Sequence, residues 1–202
     1  MYDKRLICVD GHGGSGKSTA CQELAKSLSA VYLQGNTYFN QAISSRPDIF
    51  KNIYDVNPSS DPLGMRRVVL FGTTEQGSWL FKILTPIVDK LLQDEVDKIR
   101  KTSQDTFIII DWHNIALTGL WYKAEYRILV DCDKEKLYEA FAARERKFFG
   151  HYTLELAKTR VADHTETVEF AKKSCNYKLF NNYDATFFEQ ITALKNHISQ
   201  NT

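Results

Sequence analysis

Short apolar runs alternate along this chain with longer stretches in which apolar side chains recur every three or four positions. "RLICVD" (Arg5–Asp10), "AVYLQ" (30–34), "TFIIID" (Thr106–Asp111) and "YRILVD" (Tyr126–Asp131) are rich in β-branched and aromatic residues. Runs of this length and composition predict strands buried on both faces. "NYKLFNN" (176–182) predicts a last strand.

Between the strands the period lengthens. "KSTACQELAKSLS" sets Ala20, Leu24 and Leu28 near a helical spacing, and "KEKLYEAFAARERKFF" is an amphipathic helix that turns basic at its C-terminal end. "LELAKTRVAD" reads as a returning helix and Thr186–Ile198 as a closing one. From about Leu63 to Lys101 the pattern is helical, with breaks expected near "FGTTEQGS" and around Pro86. "SSRPDIFKNIYDVNPSSDP" carries three of the four prolines and predicts loop with short helical pieces. Strands alternating with helices predict an α/β fold of three layers, a parallel sheet of about five strands covered by helices on both faces.

Composition narrows the class. The 202 residues suit one domain over 1–202, with no repeat and no linker rich enough in Gly, Pro or Ser to divide it. A formal net charge of +1 argues against a nucleic-acid platform or a binder of anionic membranes. Cys8, Cys21, Cys132 and Cys175 show neither metal-ligand nor redox spacing, so they predict reduced thiols in a cytoplasmic protein. No segment approaches the roughly 18 uninterrupted apolar residues of a membrane span, and the first strand follows the N-terminus with no leader-like run.

The strongest chemical signal lies between the first strand and the first helix. "GHGGSGKS", Gly11 to Ser18, satisfies G-x-x-x-x-G-K-[ST] at every fixed position. Gly11, Gly13, Gly14 and Gly16 let the backbone curl until successive N–H groups point inward at anionic oxygens. The helix N-terminus that opens after Ser15 and carries Thr19 adds its positive dipole end. Lys17 is expected to bridge the β- and γ-phosphates of ATP, and Ser18 to ligate Mg²⁺. His12 occupies a variable position of the loop, and its side chain is expected to face solvent.

Asp111 ends a central strand on the sheet edge where open parallel sheets bind ligands. A carboxylate there can hold a Mg²⁺-bound water or take a proton from a substrate hydroxyl. Asp10 abuts the phosphate loop, and a backbone-capping role is at least as natural for it. His113 stands two residues beyond Asp111, where packing or solvation is the default. Arg144, Arg146 and Lys147 crowd a helix C-terminus, which the helix dipole alone favours.

With these motifs the sequence resembles the dephospho-CoA kinases, a family of P-loop kinases. "DGHGGSGKST" matches the family's phosphate loop. "RRVVLFGTTEQGSWLFKILTPIV" resembles its Arg-x-x-(Val/Ile)-Phe segment and the helix after it, with Arg67, Phe71, Trp79, Leu80, Leu84 and Pro86 at corresponding places. "GLWYKAEYRILVDCDKEKLYEAFAARE" resembles the passage into the fourth strand and the lid helix. "KLFNNYDA" resembles the turn near the adenine ring, with Asn182 matching its Asn.

The resemblance implies a P-loop kinase fold with a helical lid at about 144–164 and a helical acceptor-binding region over 37–102. It implies transfer of the ATP γ-phosphate to a ribose hydroxyl of a small, nucleotide-like acceptor. Arg144, Arg146 and Arg160 would be the lid arginines that neutralise the transferring phosphoryl, and Arg66 and Arg67 candidates for the acceptor's phosphates.

The chain departs from the family at three places. Its second strand ends in "LQGN" where the family has an Asp that acts as base; Thr85 stands for a His; and "DWHNIAL" replaces a Pro-Leu-Leu motif. Three answers to the missing carboxylate stay open. The acceptor is a phosphate, already anionic near neutral pH and needing only positioning, as in nucleotide kinases. Alternatively, Asp111 or Asp10 serves as base on a hydroxyl. In the third case the protein binds nucleotide without transferring phosphate.

Overall fold

The computed structural model describes residues 3–49 and 70–201. Strand β1 (Asp3–Asp10) lies at the centre, flanked by β3 (Ile108–Asp111) and β4 (Ala124–Cys132), with β2 (Val31–Gln34) and β5 (Tyr177–Asn181) outside them. The spatial order is β2-β3-β1-β4-β5, and every pairing is parallel. Registers Val9↔Asp111, Val9↔Ile128 and Gln34↔Asp111 bring the carboxyl ends of four strands to one edge.

The alternation of side chains explains why these runs are apolar throughout. Leu6, Cys8, Ile108 and Ile110 enter the core on one face, while Ile7, Val9 and Ile109 enter the core on the other. Helices α1 (Lys17–Leu28) and α8 (Ala185–Gln200) cover the second face through Ala20, Cys21 and Leu24 and through Phe187, Ile191, Leu194 and Ile198. The first face is covered by α2 (Gly35–Ser44) and α3 (Thr74–Thr102), with Leu80, Leu84, Val88, Leu92 and Val96 of α3 forming one apolar stripe at a four-residue repeat. The 3₁₀ turn Ile115–Leu117 and α4 (Gly119–Lys123) lead from β3 into β4. A third apolar cluster completes the core. There α5 (Lys134–Arg146) and α6 (Leu154–Asp163) pack through Leu137, Phe141, Phe149, Tyr152, Ala157 and Val161, before α7 (Thr165–Ser174) returns toward β5.

The three-layer α/β fold thus matches the sequence expectation, and one local expectation does not. The chain does break within "FGTTEQGS", where Thr73 caps α3 in a reciprocal pair with Gln76. It does not break at Pro86, which lies inside the 29-residue helix. An interior proline forfeits one backbone hydrogen bond, a cost of about 3 kcal/mol. Leu84 and Val88, both fully buried, anchor the helix on either side of it. Arg66 and Arg67, and most of the proline-rich stretch before them, lie outside the described residues.

Candidate active site

Between β1 and α1 the chain makes the curl that the glycines predict. Gly11 and Gly16 take φ values of 140° and 96°, and a Cβ at either would lie 2.3 Å from the Val130 carbonyl or 2.4 Å from Asn181 Nδ2. No other residue fits those two positions. The hydroxyl of Ser15 is buried inside this loop without a hydrogen-bond partner. Lys17 is buried, and its Nζ donates to the His12 carbonyl at 2.9 Å. Burial lowers its pKa, with Asp111 and Asp10 opposing that shift. Thr19 is exposed one residue beyond Ser18.

Ser18 Oγ donates to Asp111 Oδ2 at 2.6 Å, and the Tyr32 hydroxyl donates to the same oxygen at 2.8 Å. One carboxylate oxygen thereby collects two hydroxyl donors from α1 and β2. Burial and this carboxylate together push the Tyr32 phenol well up, so it stays a donor. Asp10, fully buried, is used differently: Oδ1 accepts from Gly11 N at 2.6 Å and Oδ2 from Ala116 N at 2.9 Å. It pins the phosphate loop to the turn after β3, with both oxygens engaged by backbone N–H groups.

Arg144 lies over the loop: a Cβ at Gly13 would stand 3.1 Å from its Nη2. The guanidinium caps the Phe141 ring at 4.6 Å and its Nε bonds the buried Glu145 at 2.7 Å, so its position is held from two sides. Arg146 is turned elsewhere, with Nε donating to the Tyr152 carbonyl at 2.9 Å. Arg160 is buried between Asp163 (2.9 Å) and the Gly72 carbonyl (2.9 Å), with its Nε unpartnered.

Three side chains depart from the sequence reading. His12 does not face solvent but is half-buried; burial, then the proximity of His164 and Lys17, pushes its pKa down to about 4. The asparagine that braces the phosphate loop is Asn181, whose Nδ2 donates to the Ser15 carbonyl at 3.0 Å, while Asn182 offers its own carbonyl to Lys136. The alternation of β5 carries the signal that separates the two: Leu179 and Asn181 face inward, while Lys178 and Phe180 face outward. Tyr183 follows at φ 59° and its hydroxyl donates to the Gly14 carbonyl at 2.8 Å, so an aromatic ring flanks the loop on the β5 side.

The end of β2 has a plain steric feature. Gly35 opens α2 directly beneath Trp112, and a Cβ there would sit 2.3 Å from Trp112 Cβ. Gln34 beside it is exposed. Nothing in the sequence reading singled out Gly35, because the contact joins positions 77 residues apart.

Beyond the loop, on the side of α3, a cavity of about 350 Å³ is lined by Phe81, Lys82, Asn114, Arg160, His164 and Glu166 among others. Thr85, where the resembled family has His, and Pro86 also reach it. His113 and His164 meet at its edge with ring centroids 5.1 Å apart, and Phe81 packs edge-on against both at 5.3 and 5.2 Å.

A glycine loop before a helix, a lysine inside it, and a serine joined to a strand-end aspartate, all at the edge of a 2-3-1-4-5 parallel sheet, define the P-loop class of nucleotide-binding folds. Within that class the fold is dephospho-CoA kinase-like. The crystal structure of TT1252 from Thermus thermophilus superposes with a TM-score of 0.68 at 20% identity, covering 98% of this chain and 97% of that one. Dephospho-CoA kinase from Campylobacter jejuni superposes with a TM-score of 0.56 at 16% identity, covering 96% and 97%. No protein-family model matches the sequence, and no curated protein matches it significantly.

Proposed function

We propose that this chain is an ATP-dependent phosphotransferase resembling dephospho-CoA kinase, which moves the γ-phosphate of ATP to a ribose hydroxyl of a nucleotide-like acceptor. The observation that carries the reading is the convergence of Lys17, the Ser18–Asp111 pair and Arg144 on one loop. The unpartnered Ser15 hydroxyl and the glycine cradle suit a polyphosphate. The Ser18–Asp111 pair suits a hard cation, which takes oxygen ligands. Mg²⁺, when bound there, supplies neutralisation of the phosphate charge.

This chain's own groups do the rest. Backbone N–H groups of 13–18 hold the β-phosphate, and Lys17 leaves the His12 carbonyl for the phosphates it neutralises. Arg144, held in place against Phe141 and by Glu145, faces the transferring phosphoryl, where a fixed cation stabilises charge without reorganising. Arg160 brings a second guanidinium to the wall of the acceptor cavity. Asp111 is engaged with Ser18 and Tyr32, and this supports a cation-holding role for it over a base.

A second reading has its own observation: with Gly35 closed off by Trp112 and Gln34 neutral, no carboxylate stands at the end of β2. A nucleoside monophosphate acceptor, already anionic, needs none. Among the described residues no helix is long and apolar enough to cross a membrane. The four cysteines are free thiols, three of them buried, and that suits a cytoplasmic setting.

A screen of ATP consumption against dephospho-CoA, nucleosides and nucleoside monophosphates tests the reading. Lys17→Ala is the control: it should abolish most of the thermal stabilisation by Mg–ATP while the free protein melts as wild type does. Equal stabilisation of mutant and wild type would refute the assignment of the loop.

A further inference from the structure

We propose that His164 is the proton acceptor for the hydroxyl that this protein phosphorylates, taking the place of the carboxylate absent from the end of β2. The assignment rests on the kinase reading above. Its ground is position. His164 is the residue where α6 ends and α7 begins; it lines the 350 Å³ cavity and lies within electrostatic reach of Lys17 and His12 of the phosphate loop. The ring is clamped at a fixed orientation by Phe81 at 5.2 Å and His113 at 5.1 Å. No ring nitrogen of His164 bonds any described residue, so both remain available to a ligand.

The surroundings keep the imidazole neutral and therefore able to accept. Burial, with Lys17 of α1 and Arg160 of α6 adding to it, pushes the pKa down to about 4 against the pull of Asp163. Other charged or titratable groups approach from each neighbouring element: His12 of the loop, His113 beyond β3, Lys82 of α3 and Glu166 of α7. A polyphosphate bound at Lys17 brings negative charge to this cluster and raises the proton affinity of His164 when it is needed. Asp163, adjacent in sequence, then stabilises the imidazolium.

The step balances simply. The acceptor hydroxyl oxygen forms its bond to the γ-phosphorus, the bond from that phosphorus to the β–γ bridging oxygen breaks, ADP leaves, and the hydroxyl proton moves to the imidazole nitrogen. Solvent takes the proton after product release.

The test uses the full chain with dephospho-CoA and adenosine as hydroxyl acceptors. His164→Gln should lower kcat by about 10²- to 10⁴-fold, the ordinary worth of a positioned base, with the KM for ATP and the thermal shift by Mg–ADP unchanged. Added imidazole should restore part of the activity of His164→Ala. Undiminished kcat in His164→Gln would overturn the assignment and leave the kinase reading standing. Wild-type activity on nucleoside monophosphates alone would overturn it as well, because that acceptor needs no base. Transfer to no acceptor at all would refute the kinase reading, and this assignment with it.

Discussion

Replacing Asp10 by Asn isolates the cost of keeping a charge under the phosphate loop. Asp10 is fully buried, and desolvation raises its pKa from 3.8 to about 7 even though two backbone N–H groups and Lys17 favour the anion. Between those two values the folded protein holds a proton that the unfolded chain has released. Stability from this group is therefore complete below pH 3.8 and lost as pH rises through about 7. The full shift corresponds to about 4 kcal/mol, of which roughly 3 kcal/mol falls between pH 5 and 8. His12 and His164, both lowered to about 4, act with the opposite sign, because the unfolded chain binds their protons first as pH falls. The wild-type profile alone is thus a mixture, and the difference between wild type and Asp10→Asn removes the histidines. Asn keeps the size and stays neutral, with a constant penalty of about 1–3 kcal/mol for the N–H it cannot accept. Urea unfolding followed by tryptophan fluorescence, without nucleotide, should show Asp10→Asn gaining roughly 3 kcal/mol on wild type from pH 5 to pH 8. A difference that stays constant across that range would refute the reasoning.

Arg144 and Arg146 should separate by assay. Arg144→Ala, removing a cation fixed over the loop, should lower kcat by tens of fold or more with little change in nucleotide affinity. Arg146→Ala should spare kcat and lower the melting temperature through the lost bond to the Tyr152 carbonyl; equal kcat in both variants would contradict the split. Gly35→Ala, which forces a methyl group to within 2.3 Å of Trp112 Cβ, should destabilise by about 1–3 kcal/mol despite better helix propensity. An unchanged urea midpoint would show that β2 and β3 can part freely there.

The parts of this molecule legible in the sequence are those set by local rules. The β-branched runs give strands because a sheet covered on both faces leaves no polar alternation to interrupt them. The glycine loop is legible because its dihedrals exclude side chains. What escaped depends on contacts between distant positions. The helix survives Pro86 because Leu84 and Val88 are buried beside it, which no propensity reports. Gly35 reads as an ordinary turn residue until Trp112 is placed above it. His113 and His164 look solitary, 51 residues apart, and become a pair only when α6 folds over the end of β3. For Asn181 and Asn182 the resemblance pointed to the second, although period-two alternation along β5 turns the first inward.

These distant contacts bear on one another. With Trp112 packed against the α-carbon of Gly35, a carboxylate at that position would have to displace an indole that is 1% exposed. The cavity is lined in part by the end of α6, which brings Arg160, Asp163 and His164 together within about one turn of helix. That helix is fixed to α5, and so to Arg144, by the cluster of Phe141, Phe149, Tyr152, Ala157 and Val161. Arg144 over the phosphate loop and His164 at the cavity therefore ride on one packed unit. If His164 accepts the proton as proposed, its place at the α6–α7 junction ties that role to this packed unit: a displacement of α6 that drew Arg160 from the cavity would withdraw the imidazole as well. A base at the end of a central strand could not be withdrawn in this way, because the sheet would hold it in place whatever α6 does.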